Sequence, residues 1–149
     1  MNRQCLRTHR RPWLRHHPSL PETFRRTQPT SLQHWSGPLT EFHRVLTPGG
    51  RLLVSVNHPG AFPIVHPGLE YFGITEYTED YDFAGVSVDL TFFHRPLSAM
   101  AESFAGSGFR IVGIHEPPAD PDTPEDVLPP GLQPGEKFMG FLFFDLEAL

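Results

Sequence analysis

Five histidines follow residue 40, and they are the side chains best suited to acid–base chemistry in this 149-residue chain. Imidazole changes charge near neutral pH and is also a common metal ligand. The five are His43, His58, His66, His94 and His115. None belongs to an H-x-D/E or HExxH pattern, so their spacing does not indicate a metal site.

Motifs for nucleophiles and phosphate groups are missing from the sequence. The only Gly-x-Gly, Gly106-Ser107-Gly108, leads from a helical pattern into a strand pattern, which is the reverse of a phosphate-binding loop. The stretch "GVSVD" lacks the second glycine of a G-x-S-x-G elbow. Cys5 lies in the irregular N-terminal segment and is a poor nucleophile candidate. Spacing alone therefore specifies no reaction.

Length and composition indicate one domain in a reducing compartment. A chain of 149 residues is long enough for a single hydrophobic core. It has one cysteine, which excludes an internal disulfide, and no apolar run as long as a membrane span. It also lacks the apolar segment of a secretory signal. We expect a cytoplasmic protein with no membrane partner.

The first 31 residues differ in character from the rest. Residues 1–35 carry seven arginines and one acid, whereas residues 36–149 carry five Lys or Arg and sixteen acids. Residues 1–31 could be a basic nucleic-acid arm, an Arg-rich transit peptide, a disordered tail or a stretch translated in the wrong frame. We favour the last two and expect no nucleic-acid partner. We predict that residues 1–31 are mobile.

Apolar periodicity from Ser36 onward predicts alternating helices and strands. In "LSAMAESFA" the apolar residues recur at helical spacing, and "GSG" ends the helix. "RLLVSV" is nearly continuous in apolar residues, which is typical of a parallel strand covered on both faces. The predicted elements are a helix over 36–46 with Ser36 as N-cap, a strand over 51–56, a helix over 97–105 and strands over 109–114 and 138–144. This order predicts an α/β layered sheet.

Two segments fall outside that sheet. Residues 57–93 hold eight aromatic residues and six acids without any Lys or Arg, and this predicts a cap with short strands. Residues 117–137 hold seven prolines and five acids, and this predicts an extended excursion between the last two strands.

Two blocks resemble class I S-adenosylmethionine-dependent methyltransferases of the small-molecule branch, the type 11-like enzymes. "PLTEFHRVLTPGGRLLVSVNHP" is similar to the helix, PGG turn and fifth strand of that family. "FFHRPLSAMAESFAGSGFRIVGIHEPPAD" is similar to a later helix and strand, and "FMGFLFFDLEAL" to the closing strand. The resemblance covers residues 32–149. It implies the C-terminal part of a Rossmann-like sheet with strands corresponding to 5, 6 and 7, an inserted cap over 57–93 and a leader over 1–31.

The resemblance also implies a cofactor, a substrate class and a site. Ligands of open α/β sheets bind beyond the carboxyl ends of the strands, so Asn57 and His58 would face the reaction cleft. S-adenosylmethionine would be the cofactor, and the cap would cover a small-molecule methyl acceptor. The candidate bases are His58 and His94. The alternative for each is structural: a histidine bonded to backbone at a strand end, or one that fixes the insertion to the helix. The candidate substrate-binding residues are Asn57, Tyr71, Tyr77 and Arg95, with cap core as the alternative for the tyrosines and an anchor for carbonyls or an acid as the alternative for Arg95.

The family's glycine-rich loop and the acid after its second strand have no counterpart in the sequence. We therefore predict no cofactor-binding residues here, and weak or no binding of S-adenosylmethionine by a truncated, inactive chain. The alternative is a non-catalytic module that pairs through its exposed sheet edge. A cupin-like metal oxygenase is disfavoured by the histidine spacing. We expect strand 51–56 at the edge, parallel to 138–144, and 109–114 antiparallel to 138–144 on the far side. Self-association through 51–56 would follow.

Overall fold

The computed structural model describes residues 25–27, 31–83, 85–125 and 128–149. Within these ranges the chain forms one four-stranded sheet, one separate two-stranded sheet and short helices. The elements are β1 (Arg25–Thr27), α1 (Ser36–Val45), β2 (Arg51–Asn57), a 3₁₀ helix (Pro59–Ala61), α2 (Phe62–Val65), β3 (Thr75–Phe83), β4 (Val86–His94), α3 (Leu97–Gly106), β5 (Phe109–His115) and β6 (Phe141–Ala148). None of the helices in these ranges is long and apolar enough to cross a membrane.

The main sheet has the strand order β1-β2-β6-β5. The predicted central position of the last strand is confirmed, as is its antiparallel pairing with β5. The predicted parallel pairing of the strand at 51–56 with the last strand is wrong, because β2 and β6 are antiparallel. Since β6 runs opposite to both neighbours, β2 and β5 run in the same direction. The connection between them contains α3, as a crossover between parallel strands requires.

The expectation that strand 51–56 lies at a sheet edge is also wrong. β1 pairs in parallel with β2, and residues 25–27 lie opposite Leu52, Leu53 and Val54. Part of the segment predicted to be a mobile leader is therefore a strand of the sheet. Residues 1–24 and 28–30 of that segment lie outside the described residues.

The helices α1 and α3 cover one face of the sheet. The even-numbered residues of β2 and β6 point into this core and are almost fully buried. From the helices, Leu39, Met100 and Phe104 enter the same cluster. β2 was predicted to be covered on both faces, but on its other face only Ser55 is fully buried, while Arg51, Leu53 and Asn57 are half-buried.

Helix α1 begins differently from the prediction. Ser36 is its first residue, and the N-cap is Trp35. The Trp35 side chain makes no capping hydrogen bond and is 3% exposed. The Trp35 carbonyl accepts from the backbone N–H of Leu39 at 2.9 Å. The buried indole therefore fixes the entry to α1 by packing, where a serine hydroxyl was expected to do so by hydrogen bonding.

Residues 57–93 and 117–137 lie outside the main sheet. In the first segment, β3 and β4 form an antiparallel hairpin of nine residues a side. The second has no helix or strand among its described residues, but it is closed at its base. Ala119 donates to the Glu136 carbonyl at 2.8 Å and accepts from the Gly135 N–H at 3.0 Å.

Candidate functional site

A cavity of about 560 Å³ lies at the carboxyl end of β2. The end of β2, the 3₁₀ helix and α2 form one side, and the β3–β4 hairpin forms another. Residues 138–140, which precede β6, also line the cavity, as do Met100 of α3, Trp35 and Pro129. The sequence-predicted residues that line it are Asn57, His58, Tyr77, His94 and Arg95. The structure thus brings five of the six predicted site residues to one cavity, and Tyr71 is not among its lining residues.

His58 has both ring nitrogens bonded to protein atoms. Its Nδ1 accepts from the backbone N–H of Gly60 at 3.0 Å, so the ring proton belongs on Nε2. That nitrogen lies 2.8 Å from Oε1 of Glu116 and donates to it. A Cβ at Gly60 would stand 3.0 Å from the His58 ring, so glycine suits this turn. These bonds hold the turn after β2 and engage both ring nitrogens.

His94 is buried and has one basic nitrogen defined by its contacts. It is 5% exposed, and its ring stacks on Phe62 with centroids 3.9 Å apart and planes 5° apart. Nε2 donates to the Tyr71 carbonyl at 2.7 Å, which leaves Nδ1 as the acceptor of the neutral ring. Burial lowers the His94 pKa, the bond to Tyr71 raises it, and the nearby His66 lowers it. The ring is therefore neutral at pH 7.

Asn57 and Tyr77 form a polar pair on the cavity wall. The Asn57 Nδ2 donates to the Tyr77 hydroxyl oxygen at 3.4 Å. Burial raises the pKa of Tyr77, so its hydroxyl keeps its proton at neutral pH and remains a donor. The ring packs against Phe62 with centroids 5.3 Å apart. The pair presents a hydroxyl and an amide beside an aromatic surface.

Arg95 is the buried cation of the site. It is 6% exposed, Nη2 donates to the Gln33 carbonyl at 2.7 Å, and the guanidinium carbon lies 4.7 Å from the Trp35 ring centroid. Its buried Nε has no hydrogen-bond partner among the described residues. Burial lowers the Arg95 pKa, but an arginine keeps its charge at pH 7.

Tyr71 joins the segment before β3 to the start of α3. Its hydroxyl accepts from the backbone N–H of Leu97 at 3.3 Å, and its carbonyl accepts from His94. Both polar groups are thus used to fix neighbouring elements. Its proposed contact with substrate stays a prediction.

The sequence reasoning missed two residues of the hairpin, Glu79 and Tyr81. The Tyr81 hydroxyl donates to Oε2 of Glu79 at 2.6 Å, and this bond raises the pKa of Tyr81 to about 12. Nε2 of His66 lies 3.4 Å from the other oxygen of Glu79, within ion-pair range but without hydrogen-bond geometry. Glu79 and Tyr81 line the cavity. The i, i+2, i+4 placement of Tyr77, Glu79 and Tyr81 on one strand face was the signal that could have revealed them.

The described residues hold no group of three or more His, Cys, Asp or Glu that could bind a metal ion. His58 instead uses both ring nitrogens on protein atoms, and His94 uses Nε2. The site as described offers acid–base and hydrogen-bonding groups around an apolar volume.

Comparison with known proteins relates the fold to one group. No protein-family model and no curated protein matches the chain. Among solved structures, it is similar to one from Listeria monocytogenes assigned to the S-adenosylmethionine-dependent methyltransferases. The TM-score is 0.61 at 17% identity, over 85% of this chain and 61% of that one.

Two further structures of S-adenosylmethionine-dependent methyltransferases show the same likeness. The one from Mesorhizobium loti gives a TM-score of 0.51 at 14% identity, over 85% of this chain and 62% of that one. The one from Methanosarcina mazei gives 0.51 at 18%, over 85% of this chain and 59% of that one. The chain therefore has the fold of the S-adenosylmethionine-dependent methyltransferases, and it spans about three-fifths of the length of these three structures.

Proposed function

We propose that this chain is the acceptor-binding part of an S-adenosylmethionine-dependent methyltransferase that acts on a small molecule. The observation that carries the proposal is the cavity of about 560 Å³ at the carboxyl end of β2. Its size is that of a small-molecule site, and its place is where open α/β sheets bind ligands. The likeness in fold to methyltransferases supplies the reaction class.

Within this proposal His94 is the proton acceptor. Its Nε2 is held by the Tyr71 carbonyl, so Nδ1 is the atom that would take a proton from a hydroxyl or amine of the acceptor. Asn57 and Tyr77 would orient that group through the amide and hydroxyl they place on the wall. His58 would position the turn after β2, since its nitrogens are engaged by Gly60 and Glu116.

The described residues do not fit the cofactor itself. A cradle for its amino-acid and ribose groups needs glycine backbone that a ligand can approach. The only Gly-x-Gly ends α3, and a Cβ at Gly108 would lie 2.7 Å from Nε2 of His43. The Gly108 carbonyl accepts from the Leu149 N–H at 3.0 Å. This turn is packed against protein and cannot receive a cofactor, so we assign the chain the acceptor side only and propose that it binds S-adenosylmethionine weakly or not at all.

A chimera tests the proposal. Residues 32–149 would replace the structurally matching segment of the Listeria monocytogenes protein, and S-adenosylmethionine binding would be measured by calorimetric titration. We expect binding by the chimera and none at micromolar concentration by the 149-residue chain. A His94→Asn chimera should bind the cofactor equally well but transfer methyl groups more slowly to any acceptor that the parent chimera methylates.

Two outcomes would contradict the proposal. One is a chimera with a native-like circular dichroism spectrum that fails to bind the cofactor. The other is micromolar binding by the isolated chain, which would mean that residues assigned to the cap build the cofactor site.

We also propose a cytoplasmic location and no nucleic-acid partner. The single cysteine suits a reducing compartment, and residues 36–149 carry eleven more acids than Lys and Arg. The interaction-module alternative loses its original support, because β2 is paired on both sides over residues 52–54.

A further inference from the structure

Arg95 differs from the other arginines whose side chains the structure describes. Each of those lies on or near the surface and pairs with a carboxylate. The pairs are Arg44 with Glu41, Arg51 with Asp145, and Arg110 with Glu147. Arg95 is the most buried of the four, and no carboxylate lies within ion-pair range of it among the described residues.

The contacts of Arg95 leave part of its hydrogen-bonding capacity unused. A guanidinium carries five N–H donors and a full positive charge. Here one nitrogen donates to the Gln33 carbonyl, and the Trp35 ring lies beneath the charge. Nε is buried without a partner among the described residues. A buried charge is stable only when it is paired, so a partner from outside these residues is expected.

Arg95 lines the cavity, and the acid that lines it as well is Glu79, which lies farther along the β3–β4 hairpin. Glu79 lies opposite Leu90 in the hairpin, whereas His94 is the last residue of β4. Four residues of extended chain separate the two positions by roughly 14 Å. Glu79 is also already engaged by the Tyr81 hydroxyl and lies beside His66. It would not prevent an anion from binding at Arg95.

We propose that the cavity binds a small ligand with a carboxylate group, which pairs with Arg95. A carboxylate matches the planar guanidinium and accepts two of its N–H groups. The body of the ligand would be apolar, because Phe62, Phe93, Met100 and Phe138 supply much of the wall. The carboxylate could belong to the methyl acceptor or to the amino-acid end of S-adenosylmethionine. Its assignment to the acceptor rests on the proposed function.

Trp35 reports on this site directly because its ring lies beneath Arg95. The chain has two tryptophans, so a Trp13→Phe background makes Trp35 the only one. In this background of the 149-residue chain, 3-phenylpropionate and benzoate would be titrated while tryptophan emission is followed. The matched amides, 3-phenylpropanamide and benzamide, have the same apolar body without the charge.

We expect saturable binding of at least one acid. Its amide should bind at least about tenfold more weakly, because hydrogen bonds to charged groups are stronger than those between neutral groups. Arg95→Met should remove the preference for the acid. Arg95→Lys should keep the charge but weaken acid binding, because an ammonium cannot make the paired contact. Arg44→Met is the matched control, because Arg44 is exposed and pairs with Glu41, and it should leave acid binding unchanged.

Three results would overturn the proposal. They are no saturable binding of either acid, equal binding of an acid and its amide, and an unchanged acid preference in Arg95→Met. If Arg95→Met does not fold by circular dichroism, the comparison of acid with amide on the parent chain and Arg95→Lys still decides.

A second titration separates the two sources of the carboxylate. S-adenosylhomocysteine carries the same amino-acid end as the cofactor and would be added to the chimera saturated with the acid. Displacement of the acid assigns Arg95 to the cofactor, and simultaneous binding assigns it to the acceptor. The isolated chain could bind the acid while the chimera fails to bind the cofactor. That result would support the carboxylate site and contradict the methyltransferase assignment.

Discussion

Phe104 of α3 is the residue whose removal tests the packing of this helix on the sheet. It is fully buried, and its ring lies 5.0 Å from that of Phe144 in β6 and 5.7 Å from that of Trp35, measured between centroids. The substitution Phe104→Ala would leave a cavity between α3, the sheet and the N-terminus of α1. It would also remove one neighbour of the indole that lies beneath Arg95.

The cost follows from the buried area. A phenylalanine buries roughly 150 Å² or more, which at about 25 cal/mol per Å² gives nearly 4 kcal/mol. A compact unfolded state lowers this value by roughly 10–40%, and the unfilled cavity raises it. We expect Phe104→Ala to lower the free energy of unfolding by about 3–4 kcal/mol. That is a large part of the roughly 5–15 kcal/mol typical of a domain.

Urea denaturation followed by far-ultraviolet circular dichroism measures this change. An unchanged slope of the unfolding free energy against urea concentration would show that two-state unfolding is retained. Phe72→Ala is the matched control, because Phe72 is 79% exposed and the same truncation there should cost less than about 0.5 kcal/mol. In the Trp13→Phe background, Phe104→Ala should also shift Trp35 emission. Equal costs for the two variants, or a cost below about 1 kcal/mol at Phe104, would refute the packing of α3 described above.

Three further predictions concern pH and backbone. The pKa of His94 lies below 6.5 in the folded state, so on acidification the unfolded state takes up the proton first. The free energy of unfolding should therefore rise with pH towards neutrality, by at most about 1.4 kcal/mol per pH unit. The difference in this free energy between the parent chain and His94→Asn, measured by urea denaturation, should be flat above about pH 7.5. The pKa of Tyr81 is raised from 10.0 to about 12 by Glu79, so stability present below pH 10 should be lost towards pH 12. Tyr81→Phe should remove both this loss and the rise in phenolate absorbance towards pH 12. Gly108 has φ +85° and lies against α1, so Gly108→Ala should lower the unfolding free energy by more than about 1 kcal/mol. In the same assay, Gly37→Ala in the open first turn of α1 should raise it by about 0.5–1 kcal/mol.

The helices were predictable because each carries its own periodic signal. α3 was predicted over 97–105 and extends over Leu97–Gly106, and Phe104 lies on its buried face as the pattern requires. The last strand was predicted three residues too early. Phe138 and Met139 look like strand residues but line the cavity, whereas Asp145 belongs to the strand and pairs with Arg51. Hydropathy alone assigns apolar wall residues to strands and charged ladder residues to loops.

The sheet order was less predictable, because two of its features leave no side-chain pattern. Residues 25–27 read Arg-Arg-Thr, yet they add a strand through backbone pairing with β2. The direction of β6 follows from the crossover that makes β2 and β5 parallel, and a crossover is a property of the whole chain path. Neither feature depends on the side chains of the residues concerned, so neither could be read from residue type.

The site shows the same division between residue type and backbone. His94 was a candidate because imidazole titrates near neutrality, and Arg95 because it lies beside His94 in the block that resembles the family. Their partners are the carbonyls of Tyr71 and Gln33, and every residue carries a carbonyl, so no pattern could identify them. Those carbonyls nevertheless fix the proton positions, since the bond to Tyr71 makes Nδ1 the basic atom of the neutral His94 ring. The bond to Gln33 uses only one nitrogen of Arg95, and Nε has no partner among the described residues.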